Sequence, residues 1–133
     1  MSAHGPIVTG ADFVTVPTDD LEAAVRFYGE TLEMPRTAYM PERNFAEFET
    51  GTVTLSVVVA AEFPFGYHPN PNPIALHVED VEAARAKLAG RGVEFAGDTF
   101  DTGVCHMAFF SDPDGNALML HHRYAPRASE TPA

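Results

Sequence analysis

Cysteine is nearly missing from this chain: Cys105 is the only one in 133 residues. A lone thiol excludes an intramolecular disulfide framework, so a reducing, cytoplasmic setting is expected. No apolar run approaches the roughly 20 residues of a membrane helix. The opening stretch "MSAHGPIVTG" lacks the basic start and apolar core of a secretory signal, and no membrane partner is expected. Basic side chains are scarce, 8 against 19 acidic ones, for a net charge of -11. That balance repels a phosphate backbone, which argues against a nucleic-acid partner, and favours a cationic small molecule. Also missing are a glycine-rich phosphate loop, a Ser-His-Asp arrangement and a CxxC pair.

What the chain does have is an internal repeat. "VTVPTDDLEAAVRFY" from Val14 recurs as "IALHVEDVEAARAKL" from Ile74, 60 positions later (74 minus 14). Asp20, Glu22, Ala23 and Ala24 return as Asp80, Glu82, Ala83 and Ala84, and apolar Val14, Val16 and Leu21 return as Ile74, Leu76 and Val81. A second match sets "FAEFETGTVTLS" over "MAFFSDPDGNALML" with a two-residue insertion, placing Gly51 over Gly115 and Leu55 over Met119. Such self-similarity fixes the architecture before any single element does.

Within the first half, alternation over 12–17 predicts a strand, and Asp19 with Glu22 resembles a capping box that opens a helix. Leu21, Val25, Tyr28 and Leu32 form one apolar stripe, which must cover a sheet. "RTAYM", "NFAEFE" and "TVTLSVVVA" read as three further strands. The second half repeats the pattern: strand 73–78, helix 80–89 with Gly90 as terminator, then strands near 93–95, 104–110 and 116–121. The fold class is therefore α+β, two βαβββ modules in tandem. They occupy one domain over 11–123, with modules at 11–60 and 73–122, a linker at 61–72, and flexible tails at 1–10 and 124–133. Prolines and asparagines bar the linker from regular structure, and its Phe63, Phe65, Tyr67 and His68 offer aromatic surface.

"DPDGNALMLHH", from Asp112 to His122, pairs an acidic turn with two histidines. It does not fit a calcium loop, because Gly115 is its fourth residue and no glutamate stands at the twelfth. Pro113 with Asp114-Gly115 is a tight turn instead. His121 and His122 alternate across a strand, so the pair does not present both imidazoles to one ion. Cys105 and His106 likewise face opposite ways, which leaves Cys105 a buried, inert thiol.

The paired modules, "DLEAAVRFYGETL", "IALHVEDVEAARAKLAGRGVEF" and "DPDGN" together resemble the vicinal oxygen chelate superfamily, the group of glyoxalase I, extradiol dioxygenases, fosfomycin resistance enzymes and bleomycin resistance proteins. The resemblance covers about 11–122 and implies a cupped mixed sheet around a cavity, a homodimer, and in the metal-dependent members a divalent ion held by His or Glu at four places. Those places fall on Phe13, Leu55, Pro73 and Met119, or on Ser56 if the fourth strand slips by one residue. None is an imidazole or carboxylate, so no metal and no cofactor is expected there.

Three functions follow. The first is a metal-free binding protein for a cationic or aromatic small molecule, an antibiotic or metabolite, in an apolar cavity of Phe13, Leu55, Pro73, Ala75 and Met119 with polar contacts from Thr15, His77, His121 and Glu47. The second is a metal-independent isomerase or lyase with His77, His121 or Glu47 as acid or base. The third is a lyase or dioxygenase with non-standard metal ligands. His77 and His121, on one strand face, are the two histidines expected to approach each other.

Overall fold

Asp20 and Asp80 open the two helices in the same way, each carboxylate accepting a hydrogen bond from the backbone three residues on, at Ala23 N (3.1 Å) and Ala83 N (3.0 Å). The N-cap is thus Asp20 rather than Asp19, and the repeat extends to the cap itself. In the computed structural model, which describes residues 5–127, the first half runs β1 (Phe13–Thr18), α1 (Leu21–Arg26), β2 (Arg36–Met40), β3 (Phe45–Glu49) and β4 (Thr54–Val59). The second runs β5 (Ile74–His77), α2 (Val81–Ala89), β6 (Ala96–Asp101), β7 (Cys105–Ser111) and β8 (Ala117–Arg123). Of the tails expected at 1–10 and 124–133, residues 1–4 and 128–133 lie outside the described residues, and Tyr124 packs its ring on His106 and donates to Asp101 Oδ1 at 2.8 Å.

Each module folds into a four-stranded mixed sheet, in the order β1-β4-β3-β2 and β5-β8-β7-β6. The first two strands of each order are parallel and the others antiparallel. One face of each sheet feeds a common core. Val16, Ala46, Phe48, Leu55 and Val57 come from the first sheet, and Ala108, Phe110, Leu118 and Leu120 from the second. Both helices close this core, with Ala24 of α1 and Tyr28 just after it on one side and Val81 and Leu88 of α2 on the other. After α1 the chain widens into π geometry over Phe27–Thr31, and a Cβ on Gly29 would stand only 3.2 Å from the Phe48 ring. Glycine there lets the turn lie flat on β3.

Two boundaries differ from the sequence pattern. Val93 and Phe95 are not a strand; they pack on the core, Phe95 at 5.2 Å from Phe110 between ring centroids, and β6 begins only at Ala96. Apolar alternation over so short a run does not distinguish a strand from a loop pinned to the core. Gly90 caps α2 in right-handed geometry, and the left-handed residue is Gly92, at φ 92°.

The acidic turn fastens the halves and the linker together. Asp112 Oδ2 accepts from Tyr28 Oη at 2.5 Å and from Asn116 Nδ2 at 2.8 Å, while Asp112 Oδ1 accepts from the backbone of Asp114 and Asn116, both at 2.9 Å. Asn116 Nδ2 also donates to the Pro17 carbonyl (2.8 Å), and Asn116 Oδ1 accepts from Asn70 N in the linker (2.7 Å). Asp114 accepts from Asp19 N and Tyr67 Oη, each at 2.9 Å. Burial and the Asp112 carboxylate push the Tyr28 phenol far up, so it stays protonated and remains a donor. No helix among the described residues is long and apolar enough to cross a membrane.

Candidate functional site

Because strand neighbours share a face, the register says which side chains stand together on the side of each sheet turned away from the core. On the first sheet Thr15, Ser56, Glu47 and Ala38 form one row, flanked by Phe13, Thr54 and Glu49 on one side and Pro17, Val58 and Phe45 on the other. Glu47 therefore lies on this open face, half-buried, and beside it Glu49 accepts from the Thr54 hydroxyl at 2.6 Å. Phe13, on edge strand β1, is 58% exposed. The linker leans over one end, where Phe65 and His68 line a cleft of about 360 Å³ with Thr15 and Pro17, and Phe63 stacks on Phe65.

Leu55 is not on this face. It is fully buried in the shared core, as is Val57. The offset between halves carries Thr15 onto Ala75, and the register pairs Thr15 with Ser56 and Ala75 with Met119. Ser56 consequently holds in the first half the place Met119 holds in the second. The run "TLSVVV" is apolar at nearly every position, so its periodicity left the facing open by one residue.

On the second sheet the corresponding face carries Ala75, Met119, Phe109 and Ala96 in one row, and His77, His121, Met107 and Phe100 in the next. Pro73, just before β5, is exposed. Met107, Phe109 and Phe100 were not singled out in the sequence. In "CHMAFFS" both alternating sets are rich in apolar residues, so pattern alone does not assign a face. His77 and His121 are direct neighbours across β5 and β8. Desolvation by partial burial, then the neighbouring His77 charge, holds the His121 imidazole below its ordinary value.

His122 takes the opposite parity, as alternation requires, but its ring still meets His77 at the edge of the sheet, 5.7 Å between centroids. Glu79 Oε1 lies 3.1 Å from His77 Nε2. The rings of His77 and His122 thus meet, and a carboxylate stands beside them. Cys105 is buried and its sulfur accepts from Arg123 Nη1 at 3.8 Å, and His106 Nε2 lies 3.5 Å from Asp101 Oδ2 with its ring against Tyr124.

Both sheets turn their inner faces to one core, so their open faces look away from each other. One wall carries two glutamates and an exposed phenylalanine; the other carries two methionines, two phenylalanines and two histidines. At the places where the resemblance implies metal ligands, with Ser56 taking the place of Leu55 by register, stand Phe13, Ser56, Pro73 and Met119, none of which carries an imidazole or carboxylate.

The chain belongs to the Glyoxalase/Bleomycin resistance protein/Dioxygenase superfamily, whose family model matches residues 10–120. It is similar to a glyoxalase/bleomycin resistance protein from Streptomyces sp. CB03234, at 31% identity and TM-score 0.71, over 86% of this chain and 100% of that one. It is also similar to TnmS3, an antibiotic binding protein from the same source, at 29% identity and TM-score 0.77, over 89% and 98%. A putative glyoxalase family protein from Bacillus anthracis shares the fold at 23% identity and TM-score 0.74, over 89% and 98%. Among curated proteins none matches.

The shift on His121 gives a pH prediction. Its lowered value means folding favours neutral imidazole, so the associated stability is complete above the ordinary histidine value and is lost as pH falls through the folded one. In an NMR pH titration His121 should have a midpoint below that of free imidazole. His77→Ala should raise that midpoint only part of the way, since burial is the larger cause.

Proposed function

We propose that this protein binds a cationic, aromatic small molecule without a metal ion at the superfamily's usual place. The observation that carries the reading is the donor chemistry of Phe13, Ser56, Pro73 and Met119. The two open faces support it with complementary walls. Met107, Phe109 and Met119 supply polarizable apolar surface, and Glu47 and Glu49 supply carboxylates for a positive charge. The likeness to an antibiotic binding protein at 29% identity points the same way.

Since the walls look away from each other in one chain, a cavity using both needs a second copy. A homodimer that sets the β1 edge of one copy beside the β5 edge of the other brings Phe13 and Glu47 of one half opposite Met119 and His121 of the other. Among the described residues neither edge has a further strand neighbour. A metal-independent isomerase or lyase is the second reading, favoured by the neutral imidazole of His121 on the open face.

The test is a calorimetric screen of cationic aromatic compounds, anionic analogues and neutral analogues, with light scattering for mass and product analysis for turnover. Saturable binding of cationic aromatics by a dimer, with the ligand recovered unchanged, is expected. Phe13→Asp should abolish both the dimer and the binding. Absence of saturable binding across the panel overturns the reading, and conversion of the ligand, lost in His121→Ala, replaces it with the second.

A further inference from the structure

We infer that His77, Glu79 and His122 form a binding site for a divalent transition-metal ion at the edge of the second sheet, apart from the superfamily's four places. The imidazole nitrogens and a carboxylate oxygen all lie within 4.8 Å of one another. Two imidazoles and one carboxylate are the donor set that zinc and its neighbours prefer, and they leave a coordination position to water.

Three features of the local backbone build this cluster. β5 is an edge strand that ends at His77, and Val78 N donates to the His121 carbonyl at 3.0 Å, which fixes the end of β5 against β8. Glu79 follows His77 by two residues, and its carboxylate reaches back to the ring at 3.1 Å. His122 stands one residue beyond the partner of His77, and its Nδ1 lies 3.2 Å from the Val78 carbonyl. A carbonyl oxygen only accepts, so Nδ1 carries the proton and Nε2 keeps its lone pair. A backbone carbonyl that orients an imidazole and fixes its tautomer in this way is the usual outer support of a metal-bound histidine.

The hydrogen bond between His77 and Glu79 occupies the space that the ion would take, with a proton in its place. Donors bound at about 2.0–2.2 Å from a tetrahedral ion stand about 3.4 Å apart, so His77 and Glu79, now 3.1 Å apart, open slightly to admit the ion, and the wider gaps in the cluster, up to 4.8 Å, close toward it. His77 and Glu79 side chains are 64% and 88% exposed, which leaves them free to rotate. His121, the open-face neighbour of His77, is not one of the three clustered residues, so the site uses the histidine whose parity is opposite to that of Met119.

The inference shares only His77 with the open face of the second sheet and uses none of Phe13, Ser56, Pro73, Met119 or the two glutamates of the first sheet, so Zn²⁺ binding and small-molecule binding can fail separately. Its test is titration of untagged, chelator-stripped protein with Zn²⁺ by calorimetry and with Co²⁺ by visible absorption. All proteins carry His4→Ala, so that the histidine near the amino terminus does not contribute. Saturation at about one ion per chain is expected, with a Co²⁺ spectrum of nitrogen and oxygen ligation. His77→Ala and His122→Ala should each weaken Zn²⁺ by more than about tenfold, Glu79→Gln by less, and His121→Ala and His106→Ala not at all. Circular dichroism checks that each variant is folded; should His122→Ala fail, the exposed pair His77→Ala and Glu79→Gln decides. Absence of saturable Zn²⁺ binding overturns the inference, as does affinity that survives His77→Ala and Glu79→Gln together or disappears in His121→Ala.

Discussion

Replacing Asp112 by alanine should lower the unfolding free energy by about 4 kcal/mol, since it strands four donors that each cost about 1 kcal/mol or more when left unpaired. Those donors are the Tyr28 hydroxyl, the Asn116 amide and the backbone N–H groups of Asp114 and Asn116. Tyr28 and Asn116 are fully buried and Asp112 nearly so, which leaves water little room to substitute. The loss is concentrated at a junction. Tyr28 belongs to the first module, Asp112 and Asn116 to the second, and Asn116 reaches on to Pro17 and to the linker at Asn70. A marginal domain with about 5–15 kcal/mol in total loses a large share of its stability. The thermal midpoint should fall by about 15 °C for a chain of this size. Tyr28→Phe, which removes one donor and leaves the carboxylate its three others, should cost about 1–2 kcal/mol. Equal costs for the two variants would show that the carboxylate does not organise the network.

This junction also shows what the amino-acid pattern does and does not reveal. "DPDGN" is legible as a turn, because proline and glycine set local backbone angles. That its first carboxylate accepts a bond from a tyrosine 84 residues away in sequence is not, because that partner is set by how two modules pack. The repeat made both modules readable, down to the order of strands, since each half is evidence for the other. The register sets Thr15, Ala75, His77, Met119 and His121 on open faces, where short strands alternate. The repeat failed where both parities of a strand are apolar. In β4 it put Leu55 on the wrong side, and in β7 it passed over Met107 and Phe109. Parity likewise hid the meeting of His77 with His122, since alternation describes the middle of a strand, and at an edge a side chain can reach around. Two open faces on opposite sides of one core are a property of module packing, on which no local pattern reports.

The facing of β4 yields the second large effect. Leu55→Ala should destabilise the protein by about 3 kcal/mol, the usual range for deleting a fully buried leucine and leaving part of its volume empty. Its neighbours Phe48, Val57 and Val16 sit in a core already closed by both helices, so the surroundings have little freedom to collapse into the space. Ligand affinity, measured below the lowered melting point, should stay within about twofold, because the leucine contributes no surface to the open face. Ser56 should behave in the opposite way toward ligand. It lies between Thr15 and Glu47 in the middle row of that face. Ser56→Leu should weaken binding of a cationic aromatic by about tenfold or more, through bulk placed beside Glu47, and should cost about 1–3 kcal/mol of stability as well, because Ser56 is only 7% exposed among its neighbours. The contrast between adjacent residues separates a wall from a core more sharply than either variant alone. If Leu55→Ala impaired binding while Ser56→Leu did not, the register of β4 against β1 would have to be shifted by one residue. The place opposite Met119 would then return to Leu55, which still offers a metal ion no donor.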